Sequence, residues 1–452
     1  MSRDAYDVVR RDVLAAIERR QLRPEADLSE VRIEAQRSVD EFQRRARIGE
    51  ELRLVDPNTM VDRVVRSVAD LGPLTELLSR GDVEEIFVEG ARVSYLDAQG
   101  QLRGLATPTT EDENRQVIDR LLATTERQLT AQYPIVQARV LQGGARLTAA
   151  IPPVADRLSA TLRRYLVRHV SLADLVRRRS LSAPAAGLLW AAMQFRSRII
   201  VSGEPGAGKT TMLAALLNAG PAGHCVRCCE EIREVSVPLT HGGYYEVRPP
   251  GLDGNGEISM RDLVKFVLVM RPDRIVVGEV RGAEAFELSR AMNAGCGFMC
   301  TVHANGAVES LHALVNAALM AGENVTERVV RKVFSESIDL VVHLDRDDNA
   351  LRSVAGSSGP TDGNAGVLAS PPANVPTGRS HAVRRQVAEI VAVTPALGNE
   401  FTCEPMFVRR APGMPLEWTG ALPSQLEARC DRALPGSMTL RAILEGREEV
   451  AS

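Results

Sequence analysis

The run Gly203-Glu204-Pro205-Gly206-Ala207-Gly208-Lys209-Thr210, followed by Thr211, holds the residue types and spacing needed to wrap a phosphate chain. Backbone N–H groups must approach the anion closely, and side chains at Gly203, Gly206 and Gly208 would block that approach or forbid the φ angles it needs. Lys209 supplies a positive charge for the β- and γ-phosphates, and Thr210 places a hydroxyl where Mg²⁺ binds. The loop is fed by the β-branched run Arg198-Ile199-Ile200-Val201-Ser202 and followed by Met212-Leu213-Ala214-Ala215-Leu216-Leu217. A strand before and a helix after place the helix N-terminal dipole against the anion. This context makes nucleotide binding the first expectation.

Two further apolar runs end in polar residues that could complete such chemistry. Arg274-Ile275-Val276-Val277-Gly278-Glu279 reads as a strand closing on a carboxylate, which could hold the Mg²⁺ shell or polarise an attacking water. Phe298-Met299-Cys300-Thr301-Val302-His303 is a third such run, ending on an imidazole.

These groups need elements to position them. Residues 185–345 alternate strand-like and helical segments, the pattern of a parallel sheet with crossover helices. The fold class expected is α/β: a RecA-like P-loop motor domain preceded by a mixed α/β domain and a helical segment. Residues 1–68 carry helical spacing broken at Pro24 and Pro57. Residues 69–168 mix strands at Glu84–Val88 and Val93–Leu96 around Gly90 with a helix over Asp112–Thr124. Residues 169–184 are expected to link the two domains. From Arg346 the composition turns to Ser, Gly, Pro, Asp and Asn, so 346–382 is expected to be a flexible insertion. Alternation resumes at Val383, and 383–452 is expected to pack back on the motor domain.

With 452 residues and 44% hydrophobic content the chain can build several cores. A net charge of −3 offers no bulk attraction to nucleic acid, so no direct nucleic-acid binding is expected. The N-terminus is charged, and the longest apolar stretch, Ala185–Met193, is too short to span a bilayer. A cytoplasmic location is expected, with any membrane association made through partners. The chain has 7 cysteines, among them the Cys225-Val226-Arg227-Cys228-Cys229 run. That run reads as a buried strand in which cysteine packs as a small hydrophobe, with a zinc or redox site as the alternative.

Beyond the loop, Leu71-Gly72-Pro73-Leu74, Gly143-Gly144-Ala145-Arg146-Leu147, Ile151-Pro152-Pro153, Thr161-Leu162-Arg163-Arg164-Tyr165, Arg271-Pro272-Asp273-Arg274 and Gly278-Glu279-Val280-Arg281-Gly282 follow in order. Together these blocks resemble the type II/type IV secretion ATPase superfamily, most closely the Tad/Flp pilus assembly (CpaF-like) ATPases, over residues 70–345. The resemblance implies a homohexameric ring that hydrolyses ATP with Mg²⁺ at the cytoplasmic face of the inner membrane, docked on a membrane platform protein. The resemblance further implies that the ring powers pilus assembly or protein secretion. It implies that Glu230 and Glu234 match the acidic box, Glu279 the Walker B glutamate, His303 the γ-phosphate-sensing histidine and Arg248 a phosphate-contacting arginine. Arg163 and Arg164 match a pair near the nucleotide. Three positions depart from the pattern: Cys296 stands where relatives carry histidine, Glu231 where aspartate is usual, and Val269 where arginine is usual. Those departures leave a nucleotide-gated scaffold with little hydrolysis as one alternative, and a conjugative DNA-transfer ATPase is another.

Overall fold

The computed structural model describes residues 3–24, 26–49, 54–97, 101–165, 170–235, 237, 239–251, 254–322, 324–347, 384–395 and 401–448. The chain divides into two compact units, Met1–Leu166 and Val167–Ser452.

The first unit opens with three helices, α1 (Arg3–Arg20), α2 (Leu28–Arg47) and α3 (Pro57–Ala69). Tyr6, Val9 and Val13 of α1 meet Val39 and Phe42 of α2 and Met60 and Val64 of α3 in one core. Helix α3 starts where it does because Asp56 accepts the Thr59 N–H at 3.1 Å and Pro57 occupies the first turn, where its missing N–H costs nothing. A short helix α4 (Leu74–Ser79) and helix α5 (Glu111–Ala123) pack with six strands: β1 (Val83–Glu89), β2 (Arg92–Asp97), β3 (Leu102–Gly104), β4 (Ile135–Val140), β5 (Ala145–Ala150) and β6 (Ser159–Arg164). The sheet is antiparallel throughout, in the order β3-β2-β1-β6-β5-β4. The helical segment and the mixed α/β region expected from the sequence are both present.

The second unit is built on a nine-stranded sheet. Its parallel part comprises β7 (Arg198–Gly203), β8 (Val226–Glu230), β9 (Gly242–Glu246), β10 (Arg274–Val277), β11 (Gly297–Val302) and β12 (Leu340–Asp347). Strands β13 (Arg384–Thr394), β14 (Thr402–Arg409) and β15 (Leu416–Trp418) extend it antiparallel, giving the order β15-β14-β13-β12-β7-β11-β10-β8-β9. The C-terminal segment thus enters the motor sheet itself, with β13 pairing β12 from Arg384 to Ala392.

Helices cover both faces, which is why the inner strands read as unbroken apolar runs. Helices α6 (Leu172–Arg177), α7 (Ala183–Gln194), α8 (Lys209–Asn218), α13 (Ser424–Ala433) and α14 (Leu440–Leu444) share a core with Ile199 and Val201. Helices α9 (Met260–Leu268), α10 (Glu284–Asn293), α11 (Ala307–Leu319) and α12 (Glu327–Ser337) share the other with Ile200. Each of these three strand residues is 0% exposed, worth about 1.5–3 kcal/mol apiece in burial.

The stretch 169–184, expected as a linker, carries α6 under a Ser171–Asp174 capping box. The expected insertion at 346–382 lies, beyond Asp347, outside the described residues. Cys228 and Cys229 are buried in β8, as expected for core packing, and no group of three or more metal-capable His, Cys, Asp or Glu side chains occurs among the described residues. No helix among the described residues is long and apolar enough to cross a membrane.

Candidate nucleotide site at the carboxyl ends of the parallel strands

In parallel strands with crossover helices, the loops at the carboxyl ends gather on one edge of the sheet, and ligands bind there. Four neighbouring strands, β7, β11, β10 and β8, deliver one candidate group each. The glycine-rich loop leaves β7, His303 follows β11, Glu279 follows β10 after Gly278, and Glu230 closes β8. The sequence separates these groups by up to about a hundred residues, and the sheet makes them neighbours in order.

The loop turns sharply. Gly206 and Gly208 have φ of +77° and +96°, conformations that favour glycine. Gly203, at φ +146°, is fixed by space as well: a Cβ there would lie 2.4 Å from the Leu344 carbonyl oxygen of β12. Ala207 N–H closes the turn on the Glu204 carbonyl at 3.2 Å, leaving Glu204 and Pro205 exposed at its tip. Lys209, the first residue of α8 and only 8% exposed, reaches back so that Nζ donates to the carbonyls of Gly203 at 2.8 Å and Glu204 at 3.0 Å. Thr210 and Thr211 occupy the first helical turn, where free N–H groups and the helix dipole favour an anion.

Thr210 Oγ1 donates to Glu234 Oε2 at 3.3 Å, which joins the loop to the segment after β8. The same segment folds over Glu230, whose carboxylate accepts the N–H groups of Glu234 and Val235 at 3.1 Å each. Glu230 also packs so tightly on the end of β10 that a Cβ on Gly278 would sit 2.8 Å from its Cγ. Burial raises its pKa from the usual 4.5 to about 7, against the pull of those two N–H groups. Glu230 is therefore a carboxyl group poised to gain or lose a proton near neutrality.

Glu279 is held from two sides. His303 Nδ1 meets Oε1, while the Arg281 guanidinium donates to Oε2 and also to Glu231 Oε2 at 2.9 Å. Thr301 Oγ1 donates to the Gly278 carbonyl at 2.5 Å and locks the ends of β11 and β10 together. A cleft of about 490 Å³ opens beside them, lined by Glu279, Arg281, His303, Asn316 and Met320 among others.

The remaining candidates sit elsewhere. Arg248 is exposed just beyond β9, four strand positions from β7, and its backbone pairs with Ile258. Arg163 and Arg164 belong to the first unit. Arg163 Nε lies 3.5 Å from Glu85, and Arg164 Nη1 donates to the carbonyls of Leu77, Arg80 and Val83, tying β6 to the turn before β1. Burial lowers the Arg164 pKa. Three cations that the sequence reading did not single out do lie at the strand ends: Arg281, and the pair Arg346 and Arg385 on β12 and β13. Arg281 was visible inside the Gly278–Gly282 block. The other two carry no sequence signal, because only the sheet order brings β12 beside β7.

The residues fit a magnesium nucleotide. A hydroxyl paired with a carboxylate offers hard oxygen ligands, and Mg²⁺ takes one or two of these together with substrate phosphates in place of a full protein cage. Thr210 and Glu234 are the groups that would hold it.

The family model described as Type II/IV secretion system protein matches residues 67–401. A putative conjugal transfer protein of Mycobacterium tuberculosis is 31% identical over 292 residues, 63% of this chain and 82% of that protein. The type IV secretion system protein PtlH of Bordetella pertussis is 27% identical over 297 residues, 60% of this chain and 87% of that protein. Among solved structures, the pilus retraction motor PilT with bound ADP aligns at 20% identity over 61% of this chain and 77% of that one, with a TM-score of 0.45.

Proposed function

Because this chain belongs to the Type II/IV secretion system protein family, we propose that it is an ATP hydrolase that drives Tad/Flp-type pilus assembly or type II/IV protein secretion from the cytoplasmic face of the inner membrane. The observation that carries the reading is the row of phosphate loop, His303, Glu279 and Glu230 on four adjacent strand ends.

Phosphoryl transfer needs little covalent chemistry from the protein; it needs positioning and cations where charge spreads. Loop N–H groups and Lys209 hold the phosphate chain, and Lys209 exchanges the carbonyls of Gly203 and Glu204 for phosphate oxygens. Thr210 and Glu234 would hold Mg²⁺, which when bound would supply positive charge where the phosphate charge spreads. Glu279 orients the attacking water through one carboxylate oxygen. Glu230, with its pKa near 7, is matched to accept the proton that the water gives up. His303 stands beside Glu279 and reads the γ-phosphate, so its hold on Glu279 changes with nucleotide state. Arg248, Arg163 and Arg164 act as further cations in a homohexamer, where a neighbouring subunit completes the site. The ring docks on a membrane platform protein.

The test is Mg²⁺-dependent ATP turnover in size-separated fractions of wild type, Lys209→Ala and Glu279→Gln. We expect turnover in a large oligomer, with a loss of at least about a hundredfold in both variants, since each removes transition-state stabilisation. Nucleotide binding without turnover in any fraction would replace the motor with a nucleotide-gated scaffold. The conjugal transfer names of the matched relatives support a second reading, a motor for conjugative DNA transfer. A mobility shift with DNA that weakens steeply with salt would favour it.

A further inference from the structure

Strand β12 borders the phosphate loop on the side away from β11, with Leu344 in register with Gly203. Two residues on, Arg346 is on the same face of the sheet as Leu344, the face that α8 covers. Its register partner across β13 is Arg385. Residues directly opposite in an antiparallel pair point to the same face, so both arginine side chains leave the sheet on the face next to the loop.

The loop leaves room for both. A Cβ on Gly206 would lie 3.0 Å from Arg346 Nη1, and one on Gly208 would lie 3.9 Å from Cβ and Cδ of Arg385. The missing side chains therefore serve a second purpose: they leave room for the Arg346 guanidinium and the stem of Arg385 to lie against the loop. Guanidinium is the group best shaped for phosphate, since its planar fork donates two parallel hydrogen bonds.

We propose that Arg346 and Arg385 form a two-guanidinium clamp, supplied within the same chain, on the phosphate chain of the nucleotide held by the loop. The clamp rests on the ATP-binding reading above. It adds positive charge on the side of the loop opposite Glu279 and His303, so that the phosphates are gripped from both flanks. Its ligand is the polyphosphate, not the base or the ribose.

The test measures the affinity of the full-length protein for ATP, ADP and inorganic tripolyphosphate, each with Mg²⁺. Wild type is compared with Arg346→Ala, Arg385→Ala, the double variant, Arg346→Lys and Lys209→Ala. We expect each alanine variant to bind ATP and tripolyphosphate about tenfold more weakly, the loss of one charge-assisted contact. The double variant should lose more, and Arg346→Lys should recover part of the loss. Melting of the nucleotide-free variants at the wild-type temperature shows that the loss is not misfolding, and Arg346→Gln replaces Arg346→Ala if the latter fails to fold. Unchanged affinities would overturn the clamp. So would weaker ATP binding with unaltered tripolyphosphate binding, which would move the contact to the base or ribose. Either result with ATP binding still abolished by Lys209→Ala leaves the ATP-binding reading standing, whereas a wild type that binds no ATP overturns both.

Discussion

Glu230 is the residue where chemistry and stability meet. Its carboxyl group is 3% exposed and its pKa is raised from 4.5 to about 7 by burial. A raised folded-state pKa means that the folded protein keeps a proton that the unfolded chain releases. The resulting stability is fully present below pH 4.5 and is lost as pH climbs to about 7. Glu230→Gln cannot ionise, so its melting temperature should rise relative to wild type across that window and stay higher above it. Turnover should fall at least about tenfold, because the proton acceptor is gone. Thermal melts of nucleotide-free protein from pH 4.5 to 8 check the first expectation; a difference between the two proteins that does not change with pH would refute it. Lys209 was legible in the sequence from the spacing of the glycine loop, and Glu279 and His303 because each ends an apolar strand-like run, patterns that chemistry imposes locally. Arg346 and Arg385 were not, since nothing in the run Leu344-Asp345-Arg346 announces that its strand will lie beside the phosphate loop.

At the level of elements, the same distinction separates what sequence periodicity reveals from what pairing decides. Strands β7, β10 and β11 and helix α8 stand where apolar runs and the glycine loop put them. Helix α6 was missed because six residues, Leu172–Arg177, are too few to show a helical period, and only its Ser171–Asp174 capping box marks it. The order of strands, with β12 and β13 beside β7, is set by long-range packing that no local window contains. The junction of β7 with β12 offers a direct probe. Gly203→Ala would drive a methyl group to 2.4 Å from the Leu344 carbonyl, so the strands must part or the loop must shift. A destabilisation on the order of 2 kcal/mol is expected, together with weaker nucleotide binding. Gly223→Ala, with nothing within 4 Å of the new methyl group, should change stability by less than about 0.5 kcal/mol. Urea unfolding of the two variants would settle it, and equal midpoints would show that the close approach at Gly203 is not a constraint.

For the whole molecule, each unit carries its own buried core, the physical requirement for a unit that folds as one body. A ring needs a face that neighbours can bury, and the second unit offers one at α9. Val269, the residue at the end of that helix, is 78% exposed, Phe266 one turn earlier is 53% exposed, and Ile258 just before the helix is 41% exposed. Large apolar side chains gathered on one exposed strip mark contact surfaces. Val269→Asp changes no buried contact and should leave the melting temperature of the isolated subunit within about 2 °C of wild type. In the proposed ring it sets a charge against an apolar neighbour, which is costly to bury. The expected outcome is a shift to smaller species in sedimentation. ATP turnover should fall with it at low protein concentration and recover as concentration is raised, because mass action rebuilds the ring. Unaltered sedimentation of Val269→Asp would take α9 out of the subunit interface. Full turnover by a species that sediments as a monomer would remove the ring itself from the mechanism.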